Sequence, residues 1–302
     1  MGLRIALAVT LLSLATVAWA AEPVRAVASF SILGDLVCEV GGERVTLSTL
    51  VGPDGDAHVY QPTPADARSV AQADIMFING LGFEGWIERL VQAADFKGTL
   101  VTASEGVKPL ELAEEADNHD DDHNDHGEID PHAWQDPTNV KRYVANIVAG
   151  LSAVDPAGSA IYQANADRYG AQLDALDTEA RAAFAAVPEA QRKVITSHDA
   201  FGYFASAYGV KFLAPVGFST EAEASAADVA ALIREIRAND IGAVFVENIS
   251  DPRLLEQISR ETQAVVGGTL YSDALSGSDG PAATYLDLFS HNLRLLTGAL
   301  AP

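Results

Sequence analysis

Four histidines fall within fourteen positions of the stretch DNHDDDHNDHGEIDPHAW, residues 117–134. Imidazole is the commonest metal-binding side chain and a carboxylate is a hard oxygen donor, so the stretch points to divalent cations. Position separates the four. His119, His123 and His126 lie inside residues 111–130, which hold ten Asp or Glu and no Lys or Arg. Such a block has too little apolar surface to bury and reads as a mobile loop, its three histidines offering at best an auxiliary, weak metal contact. His132 differs, because it sits in DPHAWQDP directly ahead of a helix that Pro137 opens.

Outside this tract the histidines are sparse. His58 lies in GPDGDAHVYQPTP, a loop between a strand and the helix opened by Pro64, and His198 ends the strand KVITSH. Asp273, in LYSDALS, follows the last strand. Open α/β sheets bind ligands beyond the carboxyl ends of their strands. Two facing lobes would therefore bring His58 and His132 from one side to His198 and Asp273 from the other. His291 falls off the apolar stripe Leu286, Phe289, Leu293, Leu296 and Leu300 and is expected to be a solvated helix residue. A decoy lies in NGLGFEGW, where Gly80, Gly82 and Gly85 with Glu105 twenty residues on have the spacing of a dinucleotide fingerprint. It occupies the third strand–helix unit ahead of a short helix, and is read as tight-turn glycines.

The elements that must position these residues alternate strand and helix twice. Strands are expected over 24–31, 44–51, 73–79 and 98–104, and again over 193–198, 210–216, 242–248 and 264–271. Helical patterns fall between them, including 199–208, 225–239, 252–262 and 281–300. This alternation predicts α/β architecture with mostly parallel sheets covered on both faces. Thr63-Pro64, Asp136-Pro137, Asp155-Pro156 and Asp251-Pro252 each place a capping residue before a proline suited to a first helical turn. Between the two series, Tyr169, Leu173, Leu176, Ala180, Phe184 and Val187 mark one stripe of a long helix over 156–187. At ~1.5 Å per residue it would span roughly 45 Å, a single stiff rod joining two lobes. The domains are thus 21–154 with the acidic loop 111–130, a linker helix 155–188, and 189–302.

Residues 1–20 carry Arg4, an apolar run and Ala18-Trp19-Ala20, which reads as a cleavable secretory signal and places the mature chain in the periplasm. No cysteine follows the apolar run directly, so no lipid anchor is expected. Cys38 is the only cysteine, which excludes an intramolecular disulfide, and it is expected to be buried in its helix. With 42 acidic and 19 basic residues, neither nucleic acid nor an anionic membrane surface is a suitable partner.

The segments GPDGDAHVYQPTPAD, DPHAWQDPTNV, SHDAFGYFASAYG, VFVENISDPRLLEQISRET and GGTLYSDALS, in this order, resemble the cluster A-I solute-binding proteins of ABC importers for zinc and manganese. These are the ZnuA/TroA-like proteins, and the AztC-type members look nearest. The resemblance runs from about residue 24 to the C-terminus. It implies two (β/α) lobes on a rigid backbone helix, a metal between them, and the ligands His58, His132, His198 and Asp273. It further implies an ABC permease in the inner membrane as partner, possible delivery from a periplasmic zinc metallochaperone, and a monomer. Manganese-type relatives often carry Glu where this chain has His198. Three imidazoles and one carboxylate suit tetrahedral Zn2+, whereas Mn2+ prefers more oxygen. Glu247 is the rival to Asp273 as fourth ligand. An exported zinc hydrolase is the reading from another class; four protein ligands would leave no open position for it, and no His-Glu-x-x-His motif occurs.

Overall fold

β-branched and aromatic runs pair into two four-stranded sheets in the computed structural model, which describes residues 22–111, 129–239, 241–262 and 264–300. The expected signal sequence and His119, His123 and His126 lie outside the described residues. The first lobe contains β1 (Val24–Phe30), α1 (Ser31–Gly41), β2 (Val45–Val51), α2 (Pro64–Gln72), β3 (Ile75–Ile78), α3 (Ile87–Ala93), β4 (Thr99–Thr102) and α4 (Pro137–Val154). After α5 (Ser159–Ala185) the second lobe contains β5 (Lys193–Ile195), α6 (Gly202–Tyr208), β6 (Lys211–Leu213), α7 (Ala226–Asn239), β7 (Ala243–Glu247), α8 (Arg253–Thr262), β8 (Val265–Leu270) and α9 (Tyr285–Leu300). The sheet orders are β2-β1-β3-β4 and β6-β5-β7-β8, parallel throughout, so each lobe repeats the same winding and the same switch point.

The linker helix α5 buries Tyr162, Ala166, Tyr169, Leu173, Leu176, Ala180 and Phe184 along one face. Its 27 residues span about 40 Å. It packs on α1 and α4 of the first lobe and on α6 and α9 of the second. Its start differs from expectation. Pro156–Gly158 form a 3-10 turn, and the Asp155 side chain makes no cap. That carboxylate instead accepts from Arg44 at 2.8 Å and from the Tyr162 hydroxyl at 2.6 Å. Two of the other three proline-linked caps form as expected: Thr63 with Asp66 makes a full capping box on α2, and Asp136 accepts from the Thr138 N–H on α4, while Asp251 accepts from the Arg253 N–H at 3.0 Å at the start of α8.

Four further expectations are corrected. Cys38 is exposed, because Leu33, Leu36, Val37 and Val40 set the buried face of α1 and Cys38 falls outside it. His291 is half-buried rather than free in solvent; its Nε2 lies 3.0 Å from the Thr269 carbonyl and its ring meets Tyr271 edge-on. The strand read as 193–198 ends at Ile195, and His198 continues only as an isolated bridge to Val216. The strand read as 210–216 likewise shrinks to three residues, with Pro215 lying just beyond it. Among the described residues no helix is long and apolar enough to cross a membrane.

Candidate metal centre

The loops leaving β2, β5 and β8 at their carboxyl ends, and the segment leading into α4, meet between the lobes. They bring together His58, His132, His198 and Asp273, each offering one donor atom, all within 4.8 Å of one another. His58 Nε2 lies 3.0 Å from Asp273 Oδ2 and 3.4 Å from His132 Nε2. His198 Nε2 is 3.2 Å from Asp273 Oδ2, and His132 Nε2 is 3.6 Å from Asp273 Oδ1. The four side chains are 0–4% exposed. His198 Nε2 and Asp273 Oδ1 are buried yet make no hydrogen bond of normal geometry, and the same holds for His198 Nδ1 and Glu247 Oε2 behind them, whose contact is an ion pair. Since buried polar atoms are nearly always satisfied, such orphans facing shared space are what a metal-binding cluster leaves when no ion is present.

A second layer orients the rings. Asp130 Oδ1 accepts from the His132 backbone N–H at 2.8 Å and lies 2.8 Å from its Nδ1. Glu247 Oε2 lies 2.6 Å from His198 Nδ1, while Oε1 accepts from the N–H groups of Ser197 and His198 at 2.7 and 2.9 Å. A carboxylate on Nδ1 favours the tautomer with its proton there and leaves Nε2 free to bind metal. Glu247, weighed from sequence as a donor, thus stands behind His198 rather than beside Asp273. Asp130 and Asp56 escaped sequence reading, although a signal existed. Both occur two residues before a histidine, as Asp-x-His, and in both the Asp Oδ1 accepts that histidine's N–H, at 2.9 Å for His58.

Electrostatics follow from this arrangement. Burial opposes charge on His132, but the carboxylates of Asp273 and Asp130 outweigh it and raise it to about 9. Burial likewise opposes charge on His198, and Glu247 and Asp273 together raise it well above 6.5. Asp273 is fully buried, which would raise it, yet His198 and His132 hold it well below the usual carboxylate range. Asp273 therefore draws imidazoles of both lobes to itself.

The lobes are also tied directly beside the donors. The Ser272 carbonyl accepts from Trp134 Nε1 at 2.9 Å and Gln135 Nε2 at 2.8 Å, so the turn after His132 grips the residue before Asp273. The Tyr285 hydroxyl donates to the Trp134 carbonyl at 2.8 Å, and the Tyr285 N–H to Asp35 at 2.8 Å. A cavity of about 1000 Å³ reaches His58, and another of about 460 Å³ reaches His198.

Residues 26–299 match the family described as ZnuA, the periplasmic zinc-uptake complex component A. The manganese-binding lipoprotein MntA of Halalkalibacterium halodurans is 32% identical over 281 residues, 93% of this chain and 89% of that protein. The iron-binding protein YfeA of Yersinia pestis is 34% identical over 273 residues, 89% of this chain and 84% of that one. The structure of the periplasmic zinc-binding protein TroA of Treponema pallidum superimposes with a TM-score of 0.84 at 30% identity, covering 93% of this chain and 100% of that one.

Proposed function

The chain belongs to the ZnuA family of periplasmic metal-binding proteins of ABC importers, and we propose that it captures Zn2+ between its lobes and delivers it to an ABC permease. The observation that carries this reading is the convergence of three imidazole nitrogens and one carboxylate in a buried cluster. A tetrahedron with zinc–ligand bonds of ~2.0–2.1 Å has edges of about 3.3–3.4 Å. The contacts lie near that value, 3.0 and 3.2 Å from His58 and His198 to Asp273 Oδ2, 3.6 Å from His132 to Asp273 Oδ1 and 3.4 Å between His58 and His132, and all four donors lie within 4.8 Å of one another. Three nitrogens also favour zinc over manganese, whose preferred surroundings are richer in oxygen. The ligands proposed are His58, His132, His198 and Asp273. With four protein donors no position is left for a reacting water, which supports carriage rather than hydrolysis.

A manganese-carrying role is the second reading, favoured by the similarity to a relative named for manganese. Metal analysis of the purified protein, with competition titrations against Zn2+ and Mn2+, separates the two. One tightly held zinc per chain is expected, with His198→Ala and Asp273→Ala each losing tight binding. Preference for Mn2+ under equal competition would overturn the zinc assignment. Retention of tight zinc in Asp273→Ala would remove that residue from the ligand set.

A further inference from the structure

The glycine-rich turn NGLGFEGW has the spacing of a nucleotide motif but lies at the metal site. We infer that it is a positioning device for the two first-lobe histidines, with Asn79 and Trp86 setting where His132 and His58 stand. This rests on the reading of His58 and His132 as metal ligands.

The geometry is the same at both histidines. Trp86 Nε1 donates to the Ala57 carbonyl at 2.7 Å, and Asn79 Nδ2 donates to the Pro131 carbonyl at 2.9 Å. Each acceptor belongs to the peptide group immediately before a histidine. The N–H of that same peptide is held from its other edge by Asp56 or Asp130. A peptide unit is planar, so fixing its oxygen and its N–H together fixes the plane and the Cα that leaves it. Phe83 then limits the rings: it lies edge-on to His58 at 4.7 Å between centroids and to His132 at 6.0 Å.

The turn is built to hold these donors still. Glu84, 5% exposed, accepts from the Ser29 hydroxyl and the Asn79 N–H, both at 2.6 Å, and from the Gly80 N–H at 3.2 Å. The Tyr143 hydroxyl donates to Asn79 Oδ1 at 2.6 Å, which turns the amide so that its NH2 faces Pro131. Gly80 has φ +83°, and a Cβ there would stand 2.4 Å from Thr102 Cγ2, so this position requires glycine for its own architecture.

The test compares Trp86→Phe and Asn79→Ala with wild type and with Ile147→Val, a core trim in the same lobe. The readouts are zinc competition titration, the electronic spectrum of the Co2+-loaded protein, and thermal melting without metal. Each positioning variant is expected to weaken zinc about tenfold, the scale of lost outer-shell contacts, and to change the Co2+ spectrum. Ile147→Val should lower melting without changing either metal readout. The inference is overturned if Trp86→Phe keeps wild-type affinity within about twofold with an unchanged Co2+ spectrum. It is equally overturned if Ile147→Val loses as much affinity at the same drop in melting temperature. Should Asn79→Ala fail to fold, Trp86→Phe decides. His58→Ala separates the two claims: retained tight zinc there would sink the ligand assignment itself, and the positioning role with it.

Discussion

The first lobe pairs β1 with β2 in unbroken register from Val24↔Val45 to Phe30↔Val51, whereas β5 and β6 in the second match over three residues only. The second lobe also carries an irregularity between Val244 and Phe245 in its β7–β8 pairing. Gly267 lies there against the Phe245 ring, where any Cβ would come within 2.5 Å. The cores differ in the same sense. One cluster runs from the first sheet through α5 to α6, α9 and the Phe245 face of the second sheet. The other face of that sheet, with Ile195 and Val244, packs α7 and α8 through Leu232, Ile233, Ile236, Leu255 and Ile258 as a small separate cluster. Two lobes with one strand order therefore differ in how they are fastened. The first is continuous with the backbone helix, while the outer layer of the second is fastened mainly to its own sheet.

Core trims should break this comparison most visibly. Phe77→Ala, at a fully buried site of the large cluster, should cost about 3–5 kcal/mol and lower the unfolding transition of the whole molecule. Ile258→Ala should cost about 2–5 kcal/mol within the small cluster alone. Hydrogen exchange should then accelerate in α7 and α8 while β1 and β3 keep their protection. Equal acceleration in the first lobe would abolish the distinction between the two cores.

The outer carboxylates sharpen the comparison at the site. Asp130 uses a single oxygen, Oδ1, for both the His132 N–H and Nδ1. In Asp130→Asn the amide oxygen can take that place, so the His132 tautomer survives and zinc affinity should fall by about tenfold at most. Glu247 divides its oxygens, Oε1 on two backbone N–H groups and Oε2 on His198 Nδ1. In Glu247→Gln the oxygen must stay on the backbone, which turns the NH2 toward Nδ1 and drives the ring proton to Nε2, the atom facing the metal. Zinc affinity should fall by about a hundredfold, with the larger loss in the second lobe. Equal losses in the two variants, read by competition titration, would refute the tautomer argument.

Much of this was legible in the chain. Strand–helix alternation predicted both sheets, the stripe on 169–187 predicted the rod, and loops after strands pointed to His58, His198 and Asp273, with His132 singled out by its place ahead of a helix. What escaped depends on partners distant in sequence. The Asp155 side chain was lost as a cap because Arg44, 111 positions earlier, takes its oxygen. Glu247 looked like a donor because it ends the strand VFVE; only the folded register brings it onto His198 Nδ1. The Asp-x-His pattern at 56–58 and 130–132 is local and could have been read, since a side chain accepting the N–H two residues on is ordinary turn chemistry. The glycine turn was read as a tight turn, but spacing alone does not say that such a turn holds a neighbouring loop.

Acidity provides the finest probe of how the lobes share Asp273. Without metal, His132 from the first lobe and His198 from the second are both raised, the former to about 9, by carboxylates that include Asp273. A group raised on folding contributes stability that is full below its unfolded value and lost as pH climbs through its folded one. The metal-free protein should therefore lose stability from about pH 6.5 up to about 9. Asp273 is lowered on folding, so its contribution is present above its unfolded value near about 3.8 and is lost as pH falls through its folded one. Zinc needs the same nitrogens unprotonated and must displace those protons, so its affinity should rise across the window in which the metal-free fold weakens. One proton displaced gives about tenfold per pH unit, and two give about a hundredfold. Competition titrations at pH 6, 7 and 8 beside metal-free melting curves check both slopes. A pH-independent affinity would mean that the imidazoles are already neutral, and that Asp273 binds the two lobes by hydrogen bonds rather than by charge.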